Sequence, residues 1–146
     1  MGCDIHLHVE VQTARNWELV KPWWQCTYCE GRAITRDGVC FECRGQNVER
    51  SFYVARNYTL FGLLAGVRGI GPPITEPRGI PIDISWFLGD LWGEEKLDCH
   101  TPSWLRYSEL REVENNPAWD FALEKLKMLA DIFGPDRVRI VFWFDN

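Results

Sequence analysis

The sequence predicts an α+β fold, in which a mainly antiparallel sheet carries two or three helices on one face. Apolar and polar residues alternate at residues 3–11 and again at 138–145, which is the period of a strand with two different faces. Residues 58–65 and 117–133 instead place apolar residues at helical spacing. Terminal strands with helices between them indicate helices packed against an antiparallel sheet.

The bulk properties favour one globular domain, residues 1–146, in the cytoplasm. The length of 146 residues suits a single core. The chain has no apolar stretch of the roughly 18 residues that a membrane span needs and no signal-peptide pattern. A formal charge of −5 argues against non-specific nucleic-acid binding, which depends on Lys and Arg. Most of the eight tryptophans are expected in the core, with an aromatic docking surface as the alternative.

The first strand has two distinct faces. Cys3, Ile5, Leu7, Val9 and Val11 share the apolar one, whereas Asp4, His6, His8 and Glu10 share the other. Residues 13–16 are turn-like and residues 17–24 have strand character, so we expect a hairpin here.

The middle of the chain combines a strand, a helix and a long loop. Residues 51–55 resemble a short strand. Asn57 is a suitable N-cap for a helix at 58–65, and Gly66 is a suitable stop. Residues 68–85 are rich in proline and glycine but contain isolated isoleucines, which predicts a long ordered loop of the kind that often carries function.

The remaining segments differ in clarity. Residues 86–97 are ambiguous, residues 98–103 are polar, and residues 107–113 predict a short helix. The clearest helix covers 117–133, and a last strand covers 138–145. The boundaries of that helix are marked by an N-cap, a proline at the first helical position and a glycine-proline stop, namely Asn116, Pro117 and Gly134-Pro135.

An insertion at about residues 25–46 predicts a structural zinc knuckle. It contains two C-x-x-C-x-G motifs separated by ten residues, a distance that suits a hairpin turning at Asp37-Gly38. The two-residue gap lets both sulfurs of a pair reach one ion, and the glycine lets backbone amides point at thiolates. The expected ligands are Cys26, Cys29, Cys40 and Cys43.

Other interpretations of these cysteines remain open. Iron can occupy the same four-sulfur shell, and disulfides are a weaker alternative because the chain has no secretory signal. A closed four-cysteine shell has no position for substrate, so the predicted role is to hold the segment together. The knuckle could also act as a finger that docks on a partner protein.

Two cysteines lie outside the knuckle. Cys3 is on the apolar face of the first strand and is expected to be a small buried residue. Cys99 lies between Asp98 and His100, and this setting leaves open a nucleophile or a metal ligand.

The polar face of the first strand is the candidate for chemistry. A solvent-exposed sheet face is the simplest interpretation of Asp4, His6, His8 and Glu10. However, two of the chain's three histidines lie there, and D-x-H-x-H resembles the first metal-binding strand of several hydrolases. Such a pattern needs partners from elsewhere, and the available ones are Asp83, Asp98, His100 and Asp145.

Two mechanisms fit these residues. In one, Asp4, His6 and His100 hold a second metal with an open position that activates water. In the other, His6 and His100 act as a metal-free acid/base pair. Three arginines could clamp a phosphate or carboxylate, although each could equally be a solvated or salt-bridged charge: Arg56, Arg68 and Arg78.

Several segments together resemble a family of small bacteriophage-encoded proteins that open with Met-Gly-Cys-Asp-Ile-His. Relatives often have a short connection in place of the cysteine segment, which supports a structural role for zinc. They also tend to read His-Ser-His-Ser-Trp-Leu where this chain has Pro102 as the third residue. The matching segments are residues 1–6, 56–58, 60–61, 65–68, 78–81 with Asp83 and Ser85, and His100 with 103–105.

The resemblance implies a host bacterial cytoplasm but no particular activity. Our leading hypothesis is a phage accessory protein that binds, and in one version hydrolyses as a phosphodiesterase-type enzyme, a small anionic ligand such as a nucleotide or cyclic nucleotide. Counter-defence would be its biological sense. Asp4, His6 and His100 are the candidate catalytic residues, and the candidate ligand-binding residues are Arg56, Tyr58, Arg78, Asp83, Ser103 and Trp104.

Two other functions stay open. One is a non-catalytic protein that sequesters the same ligand class. The other is a zinc-finger adapter that binds a host protein through the knuckle and exposed tryptophans. A homodimer is compatible with both, although the sequence identifies no interface.

Overall fold

The computed structural model describes residues 2–20, 29, 34–36, 38–41, 52, 54–113 and 115–146. In chain order its elements are β1 (Ile5–Thr13), β2 (Asn16–Leu19), β3 (Ile34–Thr35), β4 (Gly38–Val39), α1 (Tyr58–Ala65), α2 (Trp86–Glu95), β5 (Cys99–Arg106), three short 3-10 turns (Tyr107–Glu109, Arg111–Val113 and Pro117–Trp119), α3 (Asp120–Phe133) and β6 (Val138–Asp145).

The predicted α+β class is confirmed. Four antiparallel strands form one sheet in the order β2-β1-β6-β5, so the first and last strands of the chain lie side by side at its centre. Their register runs from Ile5 opposite Phe144 to Val11 opposite Val138. Because β6 is flanked by strands on both edges and covered on both faces, it is buried along almost its whole length.

One sheet face forms the main core with α1 and α3. The predicted apolar face of β1 is confirmed, since Cys3, Val9 and Val11 are buried there and Ile5 and Leu7 pack against them. The other members are aliphatic and aromatic side chains from the neighbouring strands and the two helices, including Leu60, Phe61, Leu64, Leu105, Ala122, Leu126, Ile140, Phe142 and Phe144.

The predicted boundaries of α1 are also confirmed. The Asn57 side chain accepts a hydrogen bond from the backbone of Leu60 (2.9 Å), which caps the first turn. Gly66 ends the helix with a left-handed φ of 71°. A Cβ added to Gly62 would lie only 2.6 Å from the Cα of Gly69, so the loop after α1 crosses the helix at a glycine-glycine contact.

The opposite sheet face is covered rather than exposed. Helix α2 packs there, and its Leu88 is buried together with Val141 and Trp143 of β6. Glu10 and Arg139 are 0% and 2% exposed, respectively, on this face. The expectation of a solvent-exposed polar face is therefore wrong, and two helices lie on one side of the sheet with the third on the other.

Strand β5 is the main element that the sequence did not predict. Residues 98–103 were expected to be polar and irregular, yet Cys99–Arg106 pairs with β6. The register shifts between His100 and Ser103, and Thr101 has a φ of 50°. This bulge breaks the period of two, which is why alternation in the sequence did not reveal the strand.

Other boundaries shift in smaller ways. The ambiguous segment 86–97 contains helix α2, and the expected short helix at 107–113 consists of two 3-10 turns. Val54 and Ala55 are not in a strand, although one was expected at 51–55, and residues 51 and 53 lie outside the described part. A 3-10 turn over Pro117–Trp119 precedes α3.

The cysteine segment is described only in pieces. Strands β3 and β4 pair with Thr35 opposite Gly38, so the expected hairpin is present and turns one residue earlier, at 36–37. The proposed continuation of the second strand to residue 24 lies largely outside the described residues. Among the helices of the described part, none combines the length and apolar character needed to cross a bilayer.

Candidate functional site

A network of hydrogen bonds joins the start of β1 to the end of β6. The Asp4 amide donates to Asp145 Oδ1 (2.9 Å), and the Asp145 amide donates to the Asp4 carbonyl (3.1 Å). The second carboxylate oxygen of Asp145 lies 2.9 Å from His6 Nε2. Asp145 is thus fixed by the backbone of one strand while its free oxygen orients an imidazole.

This contact defines the chemistry of His6. Because an ionised carboxylate only accepts hydrogen bonds, Nε2 carries the hydrogen and Nδ1 is the nitrogen that can take a proton. His6 Nδ1 lies 3.7 Å from Glu95 Oε2, which also accepts a hydrogen bond from Trp143 Nε1 (2.7 Å). The His6 side chain is 34% exposed, so solvent and small ligands can reach it.

Asp4 has a different partner from the one expected. Its carboxylate binds the Arg56 guanidinium through two hydrogen bonds of 2.8 and 2.6 Å, and this interaction lowers the pKa of Asp4 and raises that of Arg56. The role of orienting His6, which we had assigned to Asp4, belongs to Asp145. Tyr58 lies nearby and its hydroxyl accepts a hydrogen bond from the Cys3 amide (3.3 Å).

His100 faces the other side of the sheet. It is opposite Phe144 in the β5–β6 register, whereas His6 is opposite Trp143, and neighbouring residues of β6 point to opposite faces. The His100 ring stacks on Phe144 (6.1 Å between centroids) and contacts the side chains of Thr101 and Asn146. The structure therefore does not bring His6 and His100 together as an acid/base pair.

The second-metal arrangement meets the same obstacle. Asp4 faces Arg56 and His100 lies on the far face, so neither joins His6 around a common point. Within the described ranges, no three His, Cys, Asp or Glu side chains are arranged to hold a metal ion.

The other predicted ligand-binding residues gather at the β5 edge. The Arg78 amide donates to Ser103 Oγ (3.0 Å), and its guanidinium lies 4.5 Å from the centre of the Trp104 ring. Glu109 accepts a hydrogen bond from that guanidinium (2.9 Å), which lowers the pKa of Glu109. Arg78 therefore fastens the long loop to β5 and is already paired with a carboxylate.

Asp83 belongs to a buried ion-pair network centred on Arg139. Arg139 donates to Glu10 and to Asp83 (both 2.8 Å), and its guanidinium lies 4.0 Å from the centre of the Trp17 ring. Burial opposes ionisation of Asp83, but Arg139 outweighs it and lowers the pKa of Asp83. Glu10 also accepts the Ser85 amide (2.7 Å), so these charges hold the loop on the sheet.

Two further side chains near His6 have perturbed pKa values. Burial, with the negative charges of Glu95, Asp145 and Asp98, raises the pKa of Cys99, which disfavours the nucleophilic thiolate. Burial, with a smaller contribution from His6, lowers the pKa of His8 to about 4. His8 Nε2 is buried and has no hydrogen-bond partner in the described part of the chain.

Half of the predicted zinc ligands can be located. Cys29 and Cys40, one from each C-x-x-C pair, are 1% and 0% exposed, pack together as a small cluster and are not joined in a disulfide. Two buried thiols from different pairs in contact fit a shared metal site. Cys26 and Cys43 lie outside the described residues.

The most informative residues were only partly visible in the sequence. Asp145 was one of several available partners for His6, whereas Glu95 gave no signal because residues 86–97 could not be assigned. No family model, functionally characterised protein or solved structure matches the chain.

Proposed function

We propose that the protein binds a small anionic ligand, a nucleotide or cyclic nucleotide, at the end of the sheet where Asp4, His6, Arg56 and Asp145 meet. The observation that carries this proposal is the hydrogen bond between His6 and Asp145. A carboxylate that fixes the tautomer of a partly exposed imidazole is the arrangement used by general bases.

Arg56 supplies the positive charge for the ligand. Its ion pair with Asp4 is exposed, with 49% and 53% of the two side chains accessible. Exposed pairs are weak because water screens both charges, so a ligand phosphate can compete with Asp4 for the guanidinium. Tyr58 and Arg68 lie close enough to contribute, since Arg68 and Arg56 both act electrostatically on Cys3.

In the catalytic version of this function, His6 Nδ1 accepts the proton of a water molecule. The water oxygen attacks phosphorus, one phosphate ester bond breaks, and the leaving oxygen takes a proton from solvent. Asp145 stabilises the imidazolium that forms, and Glu95 lies on its other side. A phosphodiesterase-type reaction of this kind would remove a signalling nucleotide, which suits the counter-defence role expected of a phage accessory protein.

A panel of linear and cyclic nucleotides tests the proposal, with binding and turnover measured separately. We expect His6→Gln to abolish turnover and Arg56→Gln to weaken binding, whereas His100→Gln has little effect on either. Binding without turnover would support the sequestering function instead. If no nucleotide binds, or if His100→Gln is the damaging change, the site is wrongly placed.

The adapter function has one supporting observation of its own. Val39 and Phe41, on either side of Cys40, are 68% and 67% exposed. With zinc as the structural ion, the knuckle would present these apolar side chains to a host protein. Replacing both with serine should abolish capture of that protein while leaving nucleotide binding intact, and equal capture by the variant would exclude the knuckle as the contact.

A further inference from the structure

The outer face of α2 exposes large apolar side chains. Ile82, just before the helix, is 104% exposed, and Trp86 and Phe87 in its first turn are 82% and 54% exposed. The inner face of the same helix is packed, because Leu88 is buried against β6 with Leu91 and Trp92 beside it. The three exposed residues form a contiguous surface that the fold of the chain does not use.

Gly93 makes this helix face unusually low. It lies seven residues after Trp86, hence on the same side, and a Cβ placed there would have no neighbouring atom within 4 Å. Packing inside the chain therefore does not require glycine, although glycine in a helix costs about 1 kcal/mol relative to alanine. A surface without a side chain at this position allows close approach by a partner.

Carboxylates continue the surface along the helix. Asp90 and Glu94 follow Trp86 at intervals of four residues and are exposed on the same side. Neither forms an ion pair within the described residues. Asp98 is exposed beyond the end of the helix, and Lys96 is the single basic residue between positions 82 and 98.

Charge decides among the possible occupants. A second copy of the chain would place two acidic surfaces together, and the whole chain has a formal charge of −5. An anionic membrane would be repelled for the same reason. A basic segment with apolar residues would satisfy both features, because its apolar side chains cover the aromatic end and its cations pair with the carboxylates.

We propose that the surface formed by Ile82, Trp86, Phe87, Asp90 and Glu94 docks a basic amphipathic segment of a partner protein. Aromatic residues are common energetic anchors of protein interfaces, which assigns the main contribution to Trp86 and Phe87. The carboxylates set the polarity of the partner and accelerate association at low salt. This docking is independent of nucleotide binding at His6.

A pair of synthetic helical peptides tests the proposal by calorimetry on the full chain. One contains Lys and Leu with the apolar residues on one face, and in its matched control every Lys is replaced by Glu. We expect the basic peptide alone to bind. Trp86→Ser with Phe87→Ser should weaken its binding at least tenfold, and Asp90→Asn with Glu94→Gln should reduce both binding and its salt dependence.

A control variant separates this surface from general stickiness. Ile132 on α3 is 71% exposed but belongs to a different helix, so Ile132→Ser should leave peptide binding unchanged. Equal binding of the acidic peptide, or an equal loss in Ile132→Ser, would overturn the proposal. A concentration-dependent dimer that Trp86→Ser abolishes would also overturn it, because the occupant would then be a second copy.

Discussion

Asp145 Oδ2 lies 2.9 Å from His6 Nε2, although 139 residues separate them in the chain. The contact exists because the first and last strands pair at the centre of the sheet, with His6 opposite Trp143 and Asp145 next along β6. Both side chains are about one-third exposed. The His6–Asp145 pair therefore combines a fixed geometry with access from solvent, and the proposed function depends on this combination.

Replacing Asp145 with asparagine tests the pair without removing its backbone contact. The asparagine oxygen can still accept the Asp4 amide, but its NH₂ group would face His6 Nε2 and favour the other tautomer. We expect turnover of a nucleotide substrate to fall roughly 100-fold or more, in line with the loss of a general base. Asp98→Asn is the matched control, and an equal loss in both variants would contradict the assignment.

His8 makes stability depend on pH. Its pKa is lowered from 6.5 to about 4 in the folded chain, so the unfolded chain binds the proton more readily. Stability should therefore decrease as pH falls from about 6.5 to 4, by roughly 3 kcal/mol in total, and this contribution should change no further below pH 4. Urea unfolding at a series of pH values measures the effect.

His8→Phe provides the control for that titration. The ring of His8 lies 4.8 Å from that of Trp143, and phenylalanine keeps an aromatic contact there without a buried nitrogen that lacks a partner. The variant should be more stable than the parent chain near pH 5 and should show a flatter stability profile above pH 4. An unchanged profile would mean that other groups dominate the pH dependence.

The Arg139 network should contribute strongly to stability. Arg139→Met leaves the Glu10 carboxylate buried without its cation, and we expect a loss of about 3–5 kcal/mol in urea unfolding. Adding Glu10→Leu should recover part of it, because no buried charge then remains. Arg56→Met removes an exposed pair and should shift the unfolding midpoint much less. Similar losses in Arg139→Met and Arg56→Met would contradict the role of burial.

Metal content tests the zinc knuckle. Purified protein should contain one equivalent of zinc, and Cys29→Ser or Cys40→Ser should lower it well below one, since each removes a ligand from a four-sulfur shell. Cys99→Ser should retain the full equivalent, because Cys99 lies on the sheet among side chains of the α2 face. Elemental mass spectrometry measures all four proteins. Full zinc in Cys40→Ser would exclude the proposed shell.

Much of the fold could be predicted because its signals are local. The alternation in β1 and β6 and the caps Asn57 and Gly66 depend on a few neighbouring residues. Strand β5 could not be predicted, because its bulge at Thr101 interrupts the period and its identity as a strand depends on pairing with β6. Helix α2 was ambiguous for a related reason, since its exposed Trp86 and Phe87 hide the apolar stripe.

The candidate site could be predicted only in part. The sequence identified His6 and Asp4, and the alternation placed them on one side of a strand. It could not show that Arg56 occupies Asp4, that Asp145 orients His6, or that the bulge turns His100 toward the opposite face. Each of these depends on contacts between residues far apart in the chain, for which a single sequence provides no signal.

The most direct test of the account uses the side-chain nitrogens of the histidines in NMR. The chain has three histidines, and single substitutions assign each signal. On addition of a nucleotide from the panel, the account predicts a saturable shift of the His6 nitrogens, with His8 and His100 much less affected. This shift should disappear in Arg56→Gln. If the His100 signals move instead, or if no histidine responds to any nucleotide, the proposed site at the His6–Asp145 pair is contradicted.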